Sequence, residues 1–248
     1  MWAGAWEIRR FPEIDSTNTY VLDQARQGAA EGLVAVAEHQ TAGRGRLDRR
    51  WESPPGSNLL ASVLLRPGCA PDDLHLCSGA VALAAADACA QVAGVEPVLK
   101  WPNDLLVAGS KLAGVLAEAD FDGARLRGVV VGIGLNVAWP GPAEAGGTCL
   151  DAAGGAAQPV DKGILLDALL KGLDRRRPLL DDEAGRGTLA DEVRSRCATI
   201  GQRVRVTLPN EELTGVASAI DDAGHLVVET SAGRRLVSAG DVVHLRPA

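Results

Sequence analysis

Residues 98–133 hold four strand-like segments joined by connections too short for anything but turns, and that crowding limits the folds open to the chain. Residues 98–101 and 105–107 read as strands and Ala108-Gly109-Ser110 as a turn. Residues 111–119 and 125–133 read as a hairpin around Phe121-Asp122-Gly123. Just ahead of them, Pro71 and two aspartates open a long Ala-rich helix over 72–92. Ser16-Thr17-Asn18 starts an earlier helix, with an apolar period through Val21, Leu22 and Ala25 and Gly28 as its cap. Residues 33–38 and 58–65 read as buried strands, 139–155 as a Pro/Gly/Ala-rich surface loop, and 162–180 and 188–196 as helices.

The texture changes at Cys197. Residues 204–206, 213–219, 226–230, 235–237 and 242–245 are short β-rich pieces, separated by Pro209-Asn210, residues 221–224 and Ala232-Gly233. Five short strands in so few residues suggest a small barrel. The expectation is an α+β body over 1–196 followed by a compact β domain over 197–248.

Between the first two strands lies residues 40–55, a long loop rich in Gly, Arg and Pro with no apolar period. Loops of this length in compact domains are usually functional. Residues 41–50 carry four Arg and Asp48, a local charge of +3 inside a chain whose formal charge is −7. An acidic chain is a poor general nucleic-acid binder, because phosphate binding needs clustered cations. The longest uncharged run, 128–143, is 16 residues and contains Asn136, Pro140 and Pro142, so it does not reach membrane-spanning length. Residues 1–11 carry Glu7, Arg9 and Arg10 and have no apolar signal-peptide core. Five cysteines with no C-x-x-C pair read as free thiols, and the four scattered histidines have no ligand spacing. A cytoplasmic protein is expected.

Four stretches have residues suited to chemistry. In Gly43-Arg44-Gly45-Arg46 the glycines let backbone approach a ligand, and arginines at i and i+2 project to one side, able to clamp carboxylate or phosphate; a solvated basic loop is the alternative. In Lys100-Trp101-Pro102-Asn103-Asp104 the proline forces a strand end into a turn, which presents an amide and a carboxylate to a pocket or closes a self-satisfied Asx turn. Lys111, one of only four Lys against 21 Arg, begins the apolar strand that contains Gly114. Gly132-Ile133-Gly134-Leu135-Asn136 lacks the third glycine and the helix of a dinucleotide fingerprint.

Together, Ser16-Thr17-Asn18, Gln40 through Arg46 with Trp51, Lys100 through Asp104, Lys111 through Glu118 and Gly132 through Asn136 resemble the biotin–protein ligases in order and spacing. The combination is specific although no single motif is, and it spans roughly residues 10–140, with a similar small β tail. The resemblance implies a class II aminoacyl-tRNA-synthetase-like catalytic domain, a mixed sheet with helices, and an SH3-like C-terminal β-barrel. It implies activation of biotin with ATP and Mg²⁺ to biotinyl-5′-AMP, then transfer to one lysine of a biotin carboxyl carrier domain. Ser16, Thr17, Asn18, Gln40, Gly43, Gly45 and Gly114 would line the biotin pocket. Arg44, Arg46 and Lys111 would be catalytic and hold carboxylate and phosphate. Arg46, Arg49, Trp51, Lys100, Asn103, Asp104, Lys111 and Asn136 would bind ATP, with Asp104 a candidate metal contact.

Two departures qualify the resemblance. Asp48 stands where the family commonly has Gly, which weakens the local field and restricts the loop. Only 15 residues precede Ser16, too few for the winged helix that some members carry, so no operator binding is expected. Neither membrane nor DNA is an expected partner, and a monomer or a homodimer fits equally. A lipoate ligase shares the fold but does not need the Ser-Thr-Asn set. A non-catalytic RNA-binding module is disfavoured, because the tail has no aromatic residue to stack a base.

Overall fold

The structure is a computed structural model that describes residues 5–47, 49–154, 159–208, 211–238 and 240–245. Strands β1 (Glu7–Phe11), β2 (Leu33–Ala37), β3 (Leu59–Leu65), β4 (Val98–Lys100), β5 (Asp104–Val107), β6 (Ser110–Asp122) and β7 (Arg125–Leu135) form a seven-stranded sheet in the order β1-β2-β3-β7-β6-β5-β4. Only β1 and β2 run parallel, which makes the sheet mixed. Helices α1 (Thr17–Arg26), α2 (His75–Ala93), α3 (Leu150–Ala153), α4 (Lys162–Arg176) and α5 (Glu183–Ser195) pack around it. Strands β8 (Arg203–Thr207), β9 (Glu212–Ile220), β10 (Leu226–Thr230), β11 (Gly233–Val237) and β12 (Asp241–His244) form a second, antiparallel sheet in the order β11-β10-β9-β8-β12.

Side-chain alternation along each central strand divides the core in two. Val34, Val36, Ala61, Val63, Val115, Val131 and Ile133 face α2 and α4 in the main core. Leu33, Ala35, Leu64 and Val130 face the other way, against Val21, Leu22 and Ala25 of α1. Strands buried on both faces carry near-continuous apolar runs, as in LVAVA and LLASVLL. The 10-residue α1 is too short to cover its whole face of the sheet, and the uncovered part is where the site lies. Pro71–Ala93 is the one described helix apolar and long enough to cross a membrane, and it is mostly buried, with α4 and the sheet against it.

Several elements depart from the sequence reading, each for a local reason. β1 was not foreseen, because Glu7, Arg9 and Arg10 break its apolar pattern at the sheet edge. The long helix begins at His75 after a separate 3₁₀ turn over Pro71–Asp73 and ends at Gly94, which is left-handed. The β6–β7 strands run further than expected, so Phe121 and Asp122 are paired and Gly123-Ala124 makes the turn. The 139–155 loop contains α3, whose Leu150 is fully buried in the core. α4 stops at Arg176 because Pro178 lacks the amide hydrogen a continuing helix needs, leaving a 3₁₀ turn over Arg177–Leu180. α5 starts at Glu183, capped by Asp182, well before residue 188; Gly185 belongs inside it because a Cβ there would meet Leu179 O at 2.6 Å. Asp48, Pro209-Asn210 and Gly155 lie outside the described residues. All five cysteines are free thiols, with burial pushing Cys77 well up and Cys89 up to about 12.

Candidate active site

Period-2 geometry builds the floor of a cavity of about 390 Å³ on the α1 face of the sheet. Gly132 and Gly134 on β7 and Gly114 and Leu116 on β6 all point to this face. The glycines are there because other side chains occupy their Cβ space. A Cβ at Gly132 would lie 2.0 Å from Asn18 Oδ1, and one at Gly134 would lie 2.2 Å from the Trp51 ring. A Cβ at Gly114 would meet both Trp51 and Lys111 Nζ, at 3.0 and 3.3 Å. The glycine pattern therefore admits an amide from α1 and an indole from the loop.

At one end of the cavity, Ser16 caps α1 and its side chain accepts from Thr19 N. Gln40 Oε1 accepts from Thr17 N at 2.7 Å and lies 3.0 Å from Thr17 Oγ1. Ser62 Oγ donates to Asn18 Oδ1 at 2.6 Å and sits 2.7 Å from Thr17 Oγ1. Asn18 Nδ2 donates to Leu116 O at 3.2 Å and to Glu118 Oε2 at 2.8 Å. This network fixes Thr17 and Asn18, both buried, in one orientation each.

At the other end, the Gly-Arg loop folds back on itself, with Arg44 bridged to Arg50 and Trp51 N bonded to Gly43 O. Gly43 has no room for a side chain, since a Cβ would lie 2.4 Å from Trp51 O. Arg44 reaches Glu118 at 2.7 Å and Arg46 reaches Asn103 Oδ1 at 3.2 Å. Asn103 is in turn held through Val115 O at 2.8 Å. Arg49 pairs with Asp241 of β12, which brings the C-terminal sheet to the mouth of the cavity. Lys111 Nζ stands 2.6 Å from Asp104 Oδ1, a close charge contact off the direction of a hydrogen bond, and 5.5 Å over the Trp51 ring. Lys100 Nζ lies 4.0 Å from the same carboxylate.

Among the described residues, six cationic side chains line this cavity against two carboxylates, Asp104 and Asp241. Burial lowers the Lys100 pKa, with Lys111 and Arg49 acting in the same direction and Asp104 opposing them. Burial likewise lowers the Arg46 pKa, against the pull of Asp104. Partly desolvated, crowded cations are what an incoming anion would stabilise. Trp51 Nε1 is buried without a hydrogen-bond partner, a donor open to a ligand acceptor.

Of the residues singled out from the sequence, this cavity gathers Ser16, Thr17, Asn18, Gln40, Gly45 and Gly114 from the expected biotin set. It also gathers Arg44, Arg46 and Lys111, and from the expected nucleotide set Arg49, Trp51, Lys100, Asn103 and Asp104. Gly43 lines a neighbouring cavity of about 780 Å³ between the loop, α2, α5 and the C-terminal sheet. Asn136 lies apart from both. Its Oδ1 accepts from Asn58 at 3.1 Å and its Nδ2 donates to Pro140 O and Thr148 O, both at 3.0 Å, so it pegs the segment after β7. Ser62, Asn58 and Asp241 were missed. Ser62 is the one polar residue inside LLASVLL, a signal the sequence did carry; Asp241 carried none.

The comparisons with known proteins decide the family. Residues 11–136 match the Biotin/lipoate A/B protein ligase family, and residues 199–245 match the Biotin protein ligase C terminal domain. The chain belongs to the biotin/lipoate A/B protein ligase family. It is 40% identical over 241 residues to a biotin–[acetyl-CoA-carboxylase] ligase of Mycobacterium tuberculosis, covering 93% of this chain and 86% of that protein. It is 30% identical to a bifunctional ligase/repressor of Bacillus subtilis, covering 92% of this chain and 71% of that protein. Among solved structures, the biotin protein ligase of Aquifex aeolicus in complex with biotin and ATP superposes with a TM-score of 0.80 at 25% identity, over 97% of this chain and 99% of that one. The fold is thus that of this ligase family, with its catalytic sheet and a small antiparallel β domain.

Proposed function

We propose that this family member is a biotin–protein ligase that activates biotin with ATP and transfers it to a carrier lysine. The observation that carries the reading is one cavity holding the Ser16–Asn18 amide network, the Gly-Arg loop and Lys111 together, in a chain 40% identical to a biotin ligase. Thr17, Asn18 and Gln40 face the ureido ring, for which a fixed set of donors and acceptors is needed. Arg44, Arg46 and Lys111 meet the carboxylate and the α-phosphate. In the first step a carboxylate oxygen attacks the α-phosphorus, the bond to the bridging oxygen breaks and pyrophosphate leaves. Two anions must approach each other, so positioned cations are the main catalytic resource. In the second step the free amine of the carrier lysine attacks the acyl carbon, an amide forms and AMP leaves. Trp51 and Asn103 lie on the nucleotide side.

Mg²⁺ fits this cavity as a companion of the phosphates. Among the described residues no cluster of three or more His, Cys, Asp or Glu could hold an ion alone. Magnesium commonly keeps its waters and takes one or two carboxylates plus substrate phosphates, and Asp104 is the carboxylate available beside Lys111. The bound ion would supply charge neutralisation on the phosphates. The carrier is the biotin carboxyl carrier domain of a carboxylase, and the compartment is the cytoplasm.

The test is ATP–pyrophosphate exchange dependent on biotin, followed by transfer of labelled biotin to a carrier domain. Exchange supported by lipoate and not by biotin would move the chain to the other branch of its family. Arg46→Ala is expected to let the adenylate escape, seen as biotinylation of bystander proteins; unchanged adenylate dissociation would remove Arg46 from its role.

A further inference from the structure

Glu118 belongs to no part of the reaction just described and lines the neighbouring cavity, yet a single oxygen of it bonds a residue from each end of this one. Its Oε2 accepts from Asn18 Nδ2 at 2.8 Å and from Arg44 Nη2 at 2.7 Å. Glu118 continues the stripe of β6 that carries Gly114 and Leu116, so the strand's own alternation aims it at this face. Its side chain is about one quarter exposed and that of Arg44 is 42% exposed, so the pair is half screened rather than surface-free. The acceptor matters to Asn18, whose Oδ1 is already committed to Ser62, because it fixes which way the carboxamide points. The negative charge matters to Arg44, because a carboxylate already holds the guanidinium that an anionic ligand would need.

We propose that Glu118 is an internal counter-anion and positioning residue: it holds Arg44 in the ligand-free enzyme and orients Asn18, so an anionic ligand enters by exchanging one carboxylate for another. This rests on the biotin reading of the cavity. Lys111 is held by Asp104 in a comparable way, but Asp104 also faces Lys100, so the exchange is read more cleanly at Glu118. The two roles separate by charge. Glutamine keeps an acceptor oxygen for Asn18 and removes the charge that competes for Arg44; alanine removes both.

Binding of biotin and of its uncharged amide, biotinamide, is measured calorimetrically on wild type, Glu118→Gln and Glu118→Ala. Glu118→Gln is expected to tighten biotin about fivefold, the scale of a half-exposed ion pair, and to leave biotinamide unchanged. Glu118→Ala is expected to weaken biotinamide, because Asn18 loses the closer of its two acceptors and keeps only Leu116 O. The fivefold gain should vanish when Glu118→Gln is made in an Arg44→Gln background. Biotin affinity that is unchanged or weaker in Glu118→Gln, with biotinamide moving equally, overturns the exchange. Wild type that binds biotin while the variants behave alike sinks this inference alone; wild type that binds neither ligand overturns the biotin reading and this inference with it.

Discussion

Gly132 and Gly134 show how single residues set the site. Each sits on β7 where a Cβ would collide with a side chain that faces the cavity, Asn18 in one case and Trp51 in the other. Gly132→Ala is therefore expected to displace Asn18 and lower kcat/KM for biotin by about 100-fold, since a misplacement near 1 Å costs that much, and to lower the melting temperature as well, because the buried Asn18 network is disturbed. Normal biotin kinetics in Gly132→Ala would show that Asn18 is free to move without consequence. These glycines were visible in the sequence as gaps in an apolar strand, but their reason was not. It depends on two residues more than 80 positions away, and no local pattern records such a contact.

At the scale of elements, Asp87 on α2 holds three pieces of chain together. It pairs with Arg176 of α4 at 2.8 Å and with Arg196 beyond α5 at 2.6 Å, and Glu192 of α5 closes the network through both arginines. Burial works against the charged carboxylate, but Arg196 and Arg176 outweigh it and hold its pKa below the ordinary 3.8. The folded-state pKa is depressed, so this contribution is complete above pH 3.8 and is lost as the pH falls through the folded value. Asp87→Asn is expected to lose about 1–2 kcal/mol at pH 7, discounted for partial exposure, and the gap to wild type should close below that carboxylate range. Urea unfolding at both pH values checks it; a gap constant with pH would remove the charge from the account. The helices that meet here were read from the sequence in position but not in extent. Pro178 ended α4 early, and Gly185 hid the first turns of α5 because its tight packing against Leu179 is tertiary.

Across the whole molecule, Trp101 joins the two sheets. It follows β4 of the larger sheet, yet it packs with Val204, Leu226 and Val237 in the core of the smaller one. Its Nε1 donates to Gly224 O at 2.9 Å and its amide to Thr199 Oγ1 at 3.0 Å. Arg194 of α5 reaches Asp222 and Ile220 O, and Arg49 reaches Asp241. The sheets are expected to unfold in one calorimetric transition, and Trp101→Ala to cost about 3–5 kcal/mol; two resolved transitions in wild type would contradict this. The sequence supplied both texture classes, the order of most strands and nearly all of the cavity's residues, because motif spacing and alternation are local signals. It did not supply the edge strand β1, the buried α3, or the approach of β12 to the cavity, all of which follow from packing between distant segments.

Lys111 is the ammonium held between Asp104 and Trp51 at the Gly-Arg end of the cavity. Biotin-dependent ATP–pyrophosphate exchange by wild type and Lys111→Ala tests its role most directly. The expected result is robust exchange in wild type and a fall of about 100-fold or more in the variant, with the fold intact by circular dichroism. Exchange undiminished in a folded Lys111→Ala protein would contradict the assignment of this cavity as the place where biotin is activated.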